Sequence, residues 1–138
     1  MIRRAWILFL LPLLAAGCGG GSHAPVSGKV TLDNKPLANA AITFQPVASQ
    51  GSEAAGLSSS AITDANGQFT LKCADGKAGA VVGKHRVSIT TLAVGADDSD
   101  AGGKARELVP RRYNVETTLE FEVKSGGHSD ANFDLKSP

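Results

Sequence analysis

Apolar and polar residues alternate along several short segments of this chain, with the period of two that is typical of half-buried β-strands. The first segment places Val26, Val30 and Leu32 on one face and Lys29 and Thr31 on the other. Other inward-facing sets are Ile42 and Phe44; Phe69, Leu71 and Cys73; His85, Val87 and Ile89; Leu119, Phe121 and Val123; and Phe133 and Leu135. A further short strand is predicted over residues 61–63, and no amphipathic helix of useful length is present.

Turn-forming residues separate these segments. Asp33–Pro36 and Asp64–Gly67 carry turn chemistry, and Asn66-Gly67 between two alternating runs is a strong hairpin signal. Two longer stretches, residues 47–60 and 92–112, are predicted to be loops. About seven short strands divided by turns predict an all-β fold, a seven-stranded antiparallel β-sandwich.

The N-terminus has a different character. Arg3 and Arg4 precede an apolar run of about ten residues, and small residues then lead to Cys18. This order is that of an export signal, and the run is too short for a membrane-spanning helix, which needs about 20 residues. A cysteine at the cleavage position makes the segment resemble a bacterial lipoprotein signal, although Ala15 stands where the usual pattern has Leu. A plain secretory signal is the alternative.

The lipoprotein resemblance implies a division of the chain into three parts. Residues 1–17 would be a cleaved signal peptide, residues 18–24 a lipidated Gly-rich tether, and residues 25–138 one domain. Cys18 would carry a diacylglycerol on its sulfur and usually a third acyl chain on its amine, enough for stable anchoring. We therefore expect a lipid-anchored location in the cell envelope. Gly19 in place of Asp favours the outer membrane.

The charge balance and the cysteines restrict the function further. Removing residues 1–17 takes 2 of the 14 Lys and Arg residues, which leaves 12 against 13 Asp and Glu and a formal charge of −1. A near-neutral domain is not expected to bind nucleic acid, which needs a clustered basic face. With Cys18 lipidated, Cys73 has no intrachain partner, and its place after Phe69 and Leu71 predicts a small buried residue.

Three segments resemble carboxypeptidase regulatory-like domains. They are Gly28–Leu32 followed by Lys35–Ile42, the run Thr63–Phe69, and Gly83–Ile89, in which His85 stands where that family favours Tyr. The resemblance covers about residues 25–91. The remainder, around Val109–Asn114, is similar to the ending of small bacterial lipoproteins with one such domain. The resemblance implies a transthyretin-like sandwich, of the carbohydrate-binding-like class, that serves as an accessory module without catalysis.

The residues themselves predict no catalytic site, cofactor or metal centre. Asp64–Gly67 lacks the ligands that a calcium loop needs, because Ile62 and Cys73 fall at its first and last positions. The acidic cluster Asp97, Asp98 and Asp100, with Glu107, is either a hard-cation site or, as we expect, a solvated loop. His85 is expected to be a packed histidine; a metal pair with His128 would need the fold to bring the two together. No nucleophile motif surrounds Ser58–Ser60.

The aromatic residues leave one candidate ligand contact. Trp6 is lost with the signal, and Phe44, Phe69, Phe121 and Phe133 are inward-facing. Tyr113 is thus the ring available to a sugar, and Arg111 and Arg112 beside it could hold an anion or a hydroxyl; packing at the end of the loop is the other interpretation of Tyr113.

The sequence therefore favours a non-catalytic, lipid-anchored envelope module with a structural or protein-interaction role. A protein or glycan partner is expected at loops 47–60 and 92–112, because loops carry recognition on such scaffolds. A carbohydrate-binding module is the first alternative. A hydrolase without a recognisable motif is the second.

Overall fold

A computed structural model describes residues 22–48, 56–92 and 106–138. Within these ranges the protein is all-β, as the alternation predicts, and its helical structure there is limited to a single 3₁₀ turn, Arg111–Tyr113. The strands of the described residues are β1 (His23–Ala24), β2 (Ser27–Leu32), β3 (Lys35–Pro36), β4 (Ala41–Pro46), β5 (Ser59–Ile62), β6 (Gln68–Thr70), β7 (Lys72–Cys73), β8 (Ala80–Val81), β9 (Gly83–Thr90), β10 (Glu120–Val123) and β11 (Phe133–Leu135). In the same residues, no helix has the length and hydropathy that crossing a bilayer requires.

The larger sheet has five strands in the order β10-β9-β4-β5-β7, and every neighbouring pair is antiparallel. Its centre is the pair β4 and β9, whose register runs from Ala41 opposite Thr90 to Pro46 opposite His85. The alternation of the sequence fits this sheet directly, because Ile42, Phe44, Val87 and Ile89 are all fully buried. Their neighbours along each strand form the outer face.

The second sheet is built around β2. This strand pairs antiparallel with β3 and β6, and parallel with β11 through Val30 opposite Phe133. The parallel pair differs from the antiparallel sandwich predicted from the sequence. Strand alternation shows which face of β11 is buried but not which neighbour it joins, and parallel pairing requires a long crossover rather than a local turn. Here the whole of the intervening chain separates the two strands.

The structure contains more strands than the sequence predicts, because the short strands β1, β3 and β8 are added and the run Phe69–Cys73 is divided between two sheets. Strand β6 joins β2, while β7 joins β5 in the larger sheet. Leu71 lies at the crossing, where its N–H donates to Val26 O at 2.9 Å and its carbonyl accepts from Gly79 N at 2.8 Å. Phe69, Leu71 and Cys73 are all buried, so the predicted inward face is correct even though the run is divided.

The two sheets share one apolar core. The Phe44 ring lies 6.0 Å from that of Phe133 across the core, and Phe133 in turn lies 6.3 Å from Phe69 and 6.0 Å from Phe121. Burying each of these side chains contributes about 1.5–3 kcal/mol. Val30 and Leu135 complete the wall on the side of the second sheet.

The predicted turn Asp64–Gly67 is confirmed and is tightly specified. Asp64 Oδ1 accepts from the N–H groups of Asn66 and Gln68, each at 2.9 Å. Gly67 has φ +74°, and a Cβ there would lie 2.4 Å from Val30 O, so the position requires glycine. Buried Thr63 donates to Leu37 O at 2.6 Å and accepts from Ala40 N at 2.9 Å, which ties the turn to the start of β4.

The domain has two distinct ends. At the N-terminal end, Ser22 O accepts from Val82 N at 2.8 Å, beside the start of β9 and the end of β4. At the opposite end, which we call the distal end, β9 finishes at Thr90 beside Ala41 and Ile62. The chain that follows β4 therefore leaves from the N-terminal end, and the chain that follows β9 leaves from the distal end. The two predicted loops therefore begin at opposite ends of the larger sheet.

β-Structure starts earlier than the sequence predicts. Residues 18–24 are predicted to be tether, but His23–Ala24 form β1. This strand pairs with β8 in a separate two-stranded sheet, through His23 opposite Val81 and Ala24 opposite Ala80. Ala24 is buried. A two-residue strand has too little alternation to be seen in a Gly-rich segment. Cys18 and the signal segment lie outside the described residues.

Candidate functional site

The predicted contact residues Arg111, Arg112 and Tyr113 form the 3₁₀ turn at the distal end. Pro110 precedes the turn with φ −57°, and its carbonyl accepts from Tyr113 N at 2.9 Å. The Asn114 side chain closes the turn by donating to Val109 O at 3.1 Å. Because Val109 is buried, the turn is fixed to the core while its two arginines remain exposed.

Arg112 and Tyr113 act as one unit. The guanidinium carbon of Arg112 lies 4.8 Å from the centre of the Tyr113 ring, a cation–π arrangement. Arg112 also donates to the carbonyls of Lys136 and Ser137, and Tyr113 Oη accepts from Lys136 N at 3.2 Å. The hydrogen bond from Arg112, followed by that from Lys136 N, lowers the pKa of the Tyr113 hydroxyl. These contacts join the turn to the chain after β11, so Tyr113 packs at the end of the loop.

Arg111 is the residue of the three whose contacts a ligand can most readily replace. Its Nε donates to Glu116 Oε1 at 3.2 Å, and the two side chains are 74% and 62% exposed. Exposed pairs of this kind contribute about 0–1 kcal/mol, so an anionic group can compete with Glu116 at little cost. Arg111 is the best-placed cation of the turn for an incoming ligand.

Other basic groups adjoin the turn. Lys136 Nζ donates to Asn34 Oδ1 at 3.0 Å in the hairpin between β2 and β3. The N–H and hydroxyl of Ser137 lower the pKa of the Asp33 carboxyl, and the charges of Lys136 and Lys35 lower it further. The distal end therefore presents an ordered polar surface in which arginine and lysine side chains lie around Tyr113.

Exposed apolar side chains lie at the same end. Leu108 is 55% exposed, Val115 is 75% exposed, and Ile62 is 52% exposed at the end of β5. Leu108 N donates to Thr91 Oγ1 at 2.8 Å, which places Leu108 beside the end of β9. Apolar groups rimmed by polar ones are typical of interaction surfaces.

Glu107 closes the loop that follows β9. Its Oε1 accepts from Thr91 N at 2.9 Å, Thr91 Oγ1 at 2.7 Å and Val109 N at 3.0 Å, and Thr90 Oγ1 donates to Oε2. Partial burial raises the pKa of the Glu107 carboxyl, but these hydrogen bonds outweigh burial and hold the pKa below its ordinary value. The sequence offers Glu107 as one possible cation ligand. In the structure both of its carboxylate oxygens accept hydrogen bonds from protein groups instead. Asp97, Asp98 and Asp100 lie outside the described residues.

A polar groove of about 410 Å³ lies on the second sheet, a feature that the sequence analysis missed. The side chains that line it come from β2, β6 and the segment before β11: Ser27, Lys29, Gln68, Thr70, Ser129 and Asn132. Phe69 also borders the groove but is only 4% exposed, so no broad ring face is offered there. The signal for it in the sequence is the run of polar residues at the outward positions of β2 and β6, a pattern that by itself predicts only a solvent-exposed face.

His85 is a packed histidine, as predicted. It is 1% exposed, its Nδ1 lies 3.0 Å from Gly83 O, and its ring contacts Phe44. Burial lowers the pKa of His85, so the ring is held neutral. His128 has a separate role, since its Nε2 accepts from Lys124 N at 3.1 Å.

Comparison of the chain with protein-family models, with curated proteins and with solved structures finds no match. The strongest candidate surface is the distal end, which presents the turn Arg111–Tyr113 predicted from the sequence as a ligand contact.

Proposed function

We propose that the protein is a non-catalytic, lipid-anchored module of the cell envelope that binds a protein partner through its distal end. The anchor is Cys18, acylated after cleavage of residues 1–17, and the proposed location is the outer membrane. The fold we propose is the seven-stranded, transthyretin-like sandwich of carboxypeptidase regulatory-like domains. Its seven strands would be β2, β4, β5, β9, β10, β11 and the divided run β6–β7, with the two-residue strands added at edges.

The observation that carries this proposal is the orientation of the domain: the tether joins the N-terminal end, and the candidate surface lies at the distal end. Between Cys18 and Ser22 the chain can reach at most about 14 Å. The N-terminal end would therefore lie against the lipid headgroups. The eight residues of β9 extend about 26 Å away from that end. Arg111, Tyr113, Leu108 and Val115 would then be held well above the membrane surface, where a partner can approach them.

This orientation refines the expectation drawn from the sequence. Of the two predicted recognition loops, residues 47–60 follow β4 and leave from the membrane-facing end, although Ser59 and Ser60 already belong to β5. The loop within 92–112 leaves from the distal end. We therefore assign partner binding to the second loop and the turn that follows it, and not to the first.

The test uses two matched charge reversals. Arg111 and Lys84 are both exposed cations in exposed pairs with glutamate, Arg111 at the distal end and Lys84 at the N-terminal end. Wild-type, Arg111→Glu and Lys84→Glu proteins are captured in detergent and exposed to envelope extract, and the bound proteins are quantified. A partner retained by wild type and Lys84→Glu but lost by Arg111→Glu supports the proposal. Equal capture by all three, or no enrichment, counts against it.

Carbohydrate binding is the alternative, and the polar groove on the second sheet favours it. Hydroxyl, amide and ammonium groups line the groove in the pattern that sugar hydroxyls require, although stacking would have to come from elsewhere. A glycan array comparing wild type with Gln68→Ala and Tyr113→Ala separates the two sites. Loss of a signal in only one variant locates the sugar, and an empty array removes this alternative. The hydrolase alternative stays untested, and absence of turnover on ester, peptide and glycoside panels would dispose of it.

A further inference from the structure

Three side chains with metal-binding atoms meet at the N-terminal end of the domain. They are His23 in β1, Cys73 at the end of β7, and Asp75 in the turn that follows. One ligand atom from each lies within 4.8 Å of the other two. The sequence gives no sign of this cluster, because His23 lies about 50 residues from Cys73 and Asp75 in a Gly-rich segment, and Cys73 follows the pattern of a buried core residue.

Backbone structure holds all three residues in place. His23 is fixed by pairing with Val81 of β8. The turn is closed by Cys73 N donating to Lys77 O at 2.8 Å and Gly76 N donating to Cys73 O at 2.9 Å. Asp75 Oδ1 accepts from Lys77 N at 3.0 Å, which leaves Oδ2 for a second partner. A cluster built on a strand and a hydrogen-bonded turn needs little reorganisation to bind an ion.

The environment of His23 Nε2 is a second feature, besides the proximity of the three residues, that points to a bound ion. The atom is enclosed, and within the described part of the chain it has no hydrogen-bond partner. Its nearest carboxylate oxygen, Asp75 Oδ2, lies at 3.6 Å, beyond the usual hydrogen-bond range of about 2.7–3.2 Å. Two ligands bound to one tetrahedral ion at about 2.0–2.2 Å would be roughly 3.4 Å apart. The separation is therefore long for a hydrogen bond and suitable for two ligands of one ion.

We propose that His23, Cys73 and Asp75 form a Zn²⁺ site. An imidazole nitrogen, a thiolate and a carboxylate are donors that zinc accepts together, whereas calcium and magnesium take oxygen ligands. The thiolate and the carboxylate neutralise the two charges of the ion. Three protein ligands leave one tetrahedral position for water or an exogenous ligand. Binding releases the proton of the Cys73 thiol to solvent, since the thiolate is the ligand.

The groups around the site are compatible with a cation. Lys77 Nζ lies 3.7 Å from Asp75 Oδ2, but its side chain is 65% exposed and can turn into solvent when an ion takes its place. The cluster without metal would be an ion pair beside a buried thiol, and this arrangement is the alternative outcome of the test.

The site would fasten the start of the domain. His23 belongs to the first strand after the tether, and Cys73 and Asp75 belong to the turn that leads to β8. An ion shared between them links β1 to the end of β7 in the larger sheet, so metal occupancy would stabilise the pairing of β1 with β8.

The test is a metal titration of the full chain, purified in detergent and stripped of metal. Co²⁺ is added first as a spectroscopic probe, and Zn²⁺ is then used to displace it. We expect one equivalent of Co²⁺ to give a thiolate-to-cobalt charge-transfer band with tetrahedral d–d bands, which Zn²⁺ abolishes. We also expect a higher melting temperature with Zn²⁺.

Variants assign the ligands. Asp75→Asn keeps an oxygen for Lys77 N and should weaken Zn²⁺ by at least the roughly 10–100-fold that loss of an outer-sphere partner costs. His23→Gln should do the same, and Cys73→Ser should remove the charge-transfer band while Cys18→Ser leaves it. Glu120→Gln changes an exposed carboxylate on β10, the edge of the larger sheet opposite β7, and should bind as wild type does. If Cys73→Ser does not fold, Asp75→Asn and His23→Gln decide the question. No charge-transfer band, a band lost with Cys18, or equal affinity in all variants would overturn the proposal.

Discussion

Gly67 offers the sharpest test of the fold, because a matched control exists in the same chain. Gly67 and Gly76 both have positive φ, +74° and +88°. A Cβ at Gly67 would lie 2.4 Å from Val30 O and 3.1 Å from Leu37 N, whereas a Cβ at Gly76 meets nothing within 4 Å. Alanine at either position incurs the same conformational cost, and at Gly67 it also forces the backbone of β2 and the turn apart.

The magnitude follows from these two effects. Left-handed backbone costs a non-glycine residue about 1–2 kcal/mol, and the restriction of the unfolded chain returns about 0.4–1 kcal/mol. Gly76→Ala should therefore lower the free energy of unfolding by about 0–1.6 kcal/mol. Gly67→Ala adds an overpacking cost of about 1–3 kcal/mol, because the atoms it meets are backbone.

The assay is denaturant unfolding followed by circular dichroism, with m-values compared to check that the transition stays two-state. We expect Gly67→Ala to be less stable than Gly76→Ala by about 1–3 kcal/mol, or roughly 4–12 °C in melting temperature for a domain of this size. Equal loss in the two variants, or a larger loss in Gly76→Ala, would refute the close approach of the Asp64–Gly67 turn to β2.

Three further predictions concern single side chains. Phe69→Asp should leave the domain unfolded at room temperature, because it buries an unpaired charge; a melting transition like that of wild type would mean that Phe69 is not in the core. Thr63→Val should lower the free energy of unfolding by about 1–3 kcal/mol, because it leaves Leu37 O and Ala40 N unpaired, while Thr70→Val, at an exposed position, should change it little. Equal unfolding midpoints for the two variants would contradict this. The hydrogen bonds to the Glu107 carboxylate hold its pKa below the ordinary value of 4.5, so their contribution to stability is present above pH 4.5 and is lost as pH falls through the folded pKa. Wild type should therefore be more stable than Glu107→Gln at pH 7, and the difference should narrow as pH falls below 4.5. A stability difference independent of pH would contradict this role of Glu107.

The strands that the sequence predicts correctly are those with several alternating residues in a row. Strands β4 and β9 alternate buried residues with more exposed ones, and β2 buries Val30 between Lys29 and Thr31, so the period of two is visible in the residues themselves. The turn at Asp64–Gly67 is equally local, because a side-chain oxygen of Asp64 and the positive φ of Gly67 specify it within four residues.

What the sequence could not predict depends on contacts between distant segments. Nothing local distinguishes a β11 that pairs with β2 from one that pairs elsewhere, and β1 is too short to show a pattern. Glu107 looks like any acidic loop residue until Thr90 and Thr91 are brought to it.

The same contrast between local patterns and contacts of distant segments applies to the candidate sites. Arg111, Arg112 and Tyr113 are consecutive, so the sequence alone shows that they lie together. The hydrogen bonds from Arg112 to the carbonyls of Lys136 and Ser137 depend on where the chain after β11 lies. His23 meets Cys73 and Asp75 only because β1 pairs with β8. Long-range topology, and not residue type, decides which polar groups converge.

The measurement that most directly tests the central claim is the intact mass and membrane partition of the protein expressed in a bacterial host with its own signal. A lipid-anchored envelope module predicts a mass of residues 18–138 plus acyl chains, recovered in the detergent phase, and a Cys18→Ser variant that is either left uncleaved or released as soluble protein. A soluble, unmodified wild-type product would contradict the account, since the tether would then carry no lipid and the orientation assigned to the distal end would have no anchor.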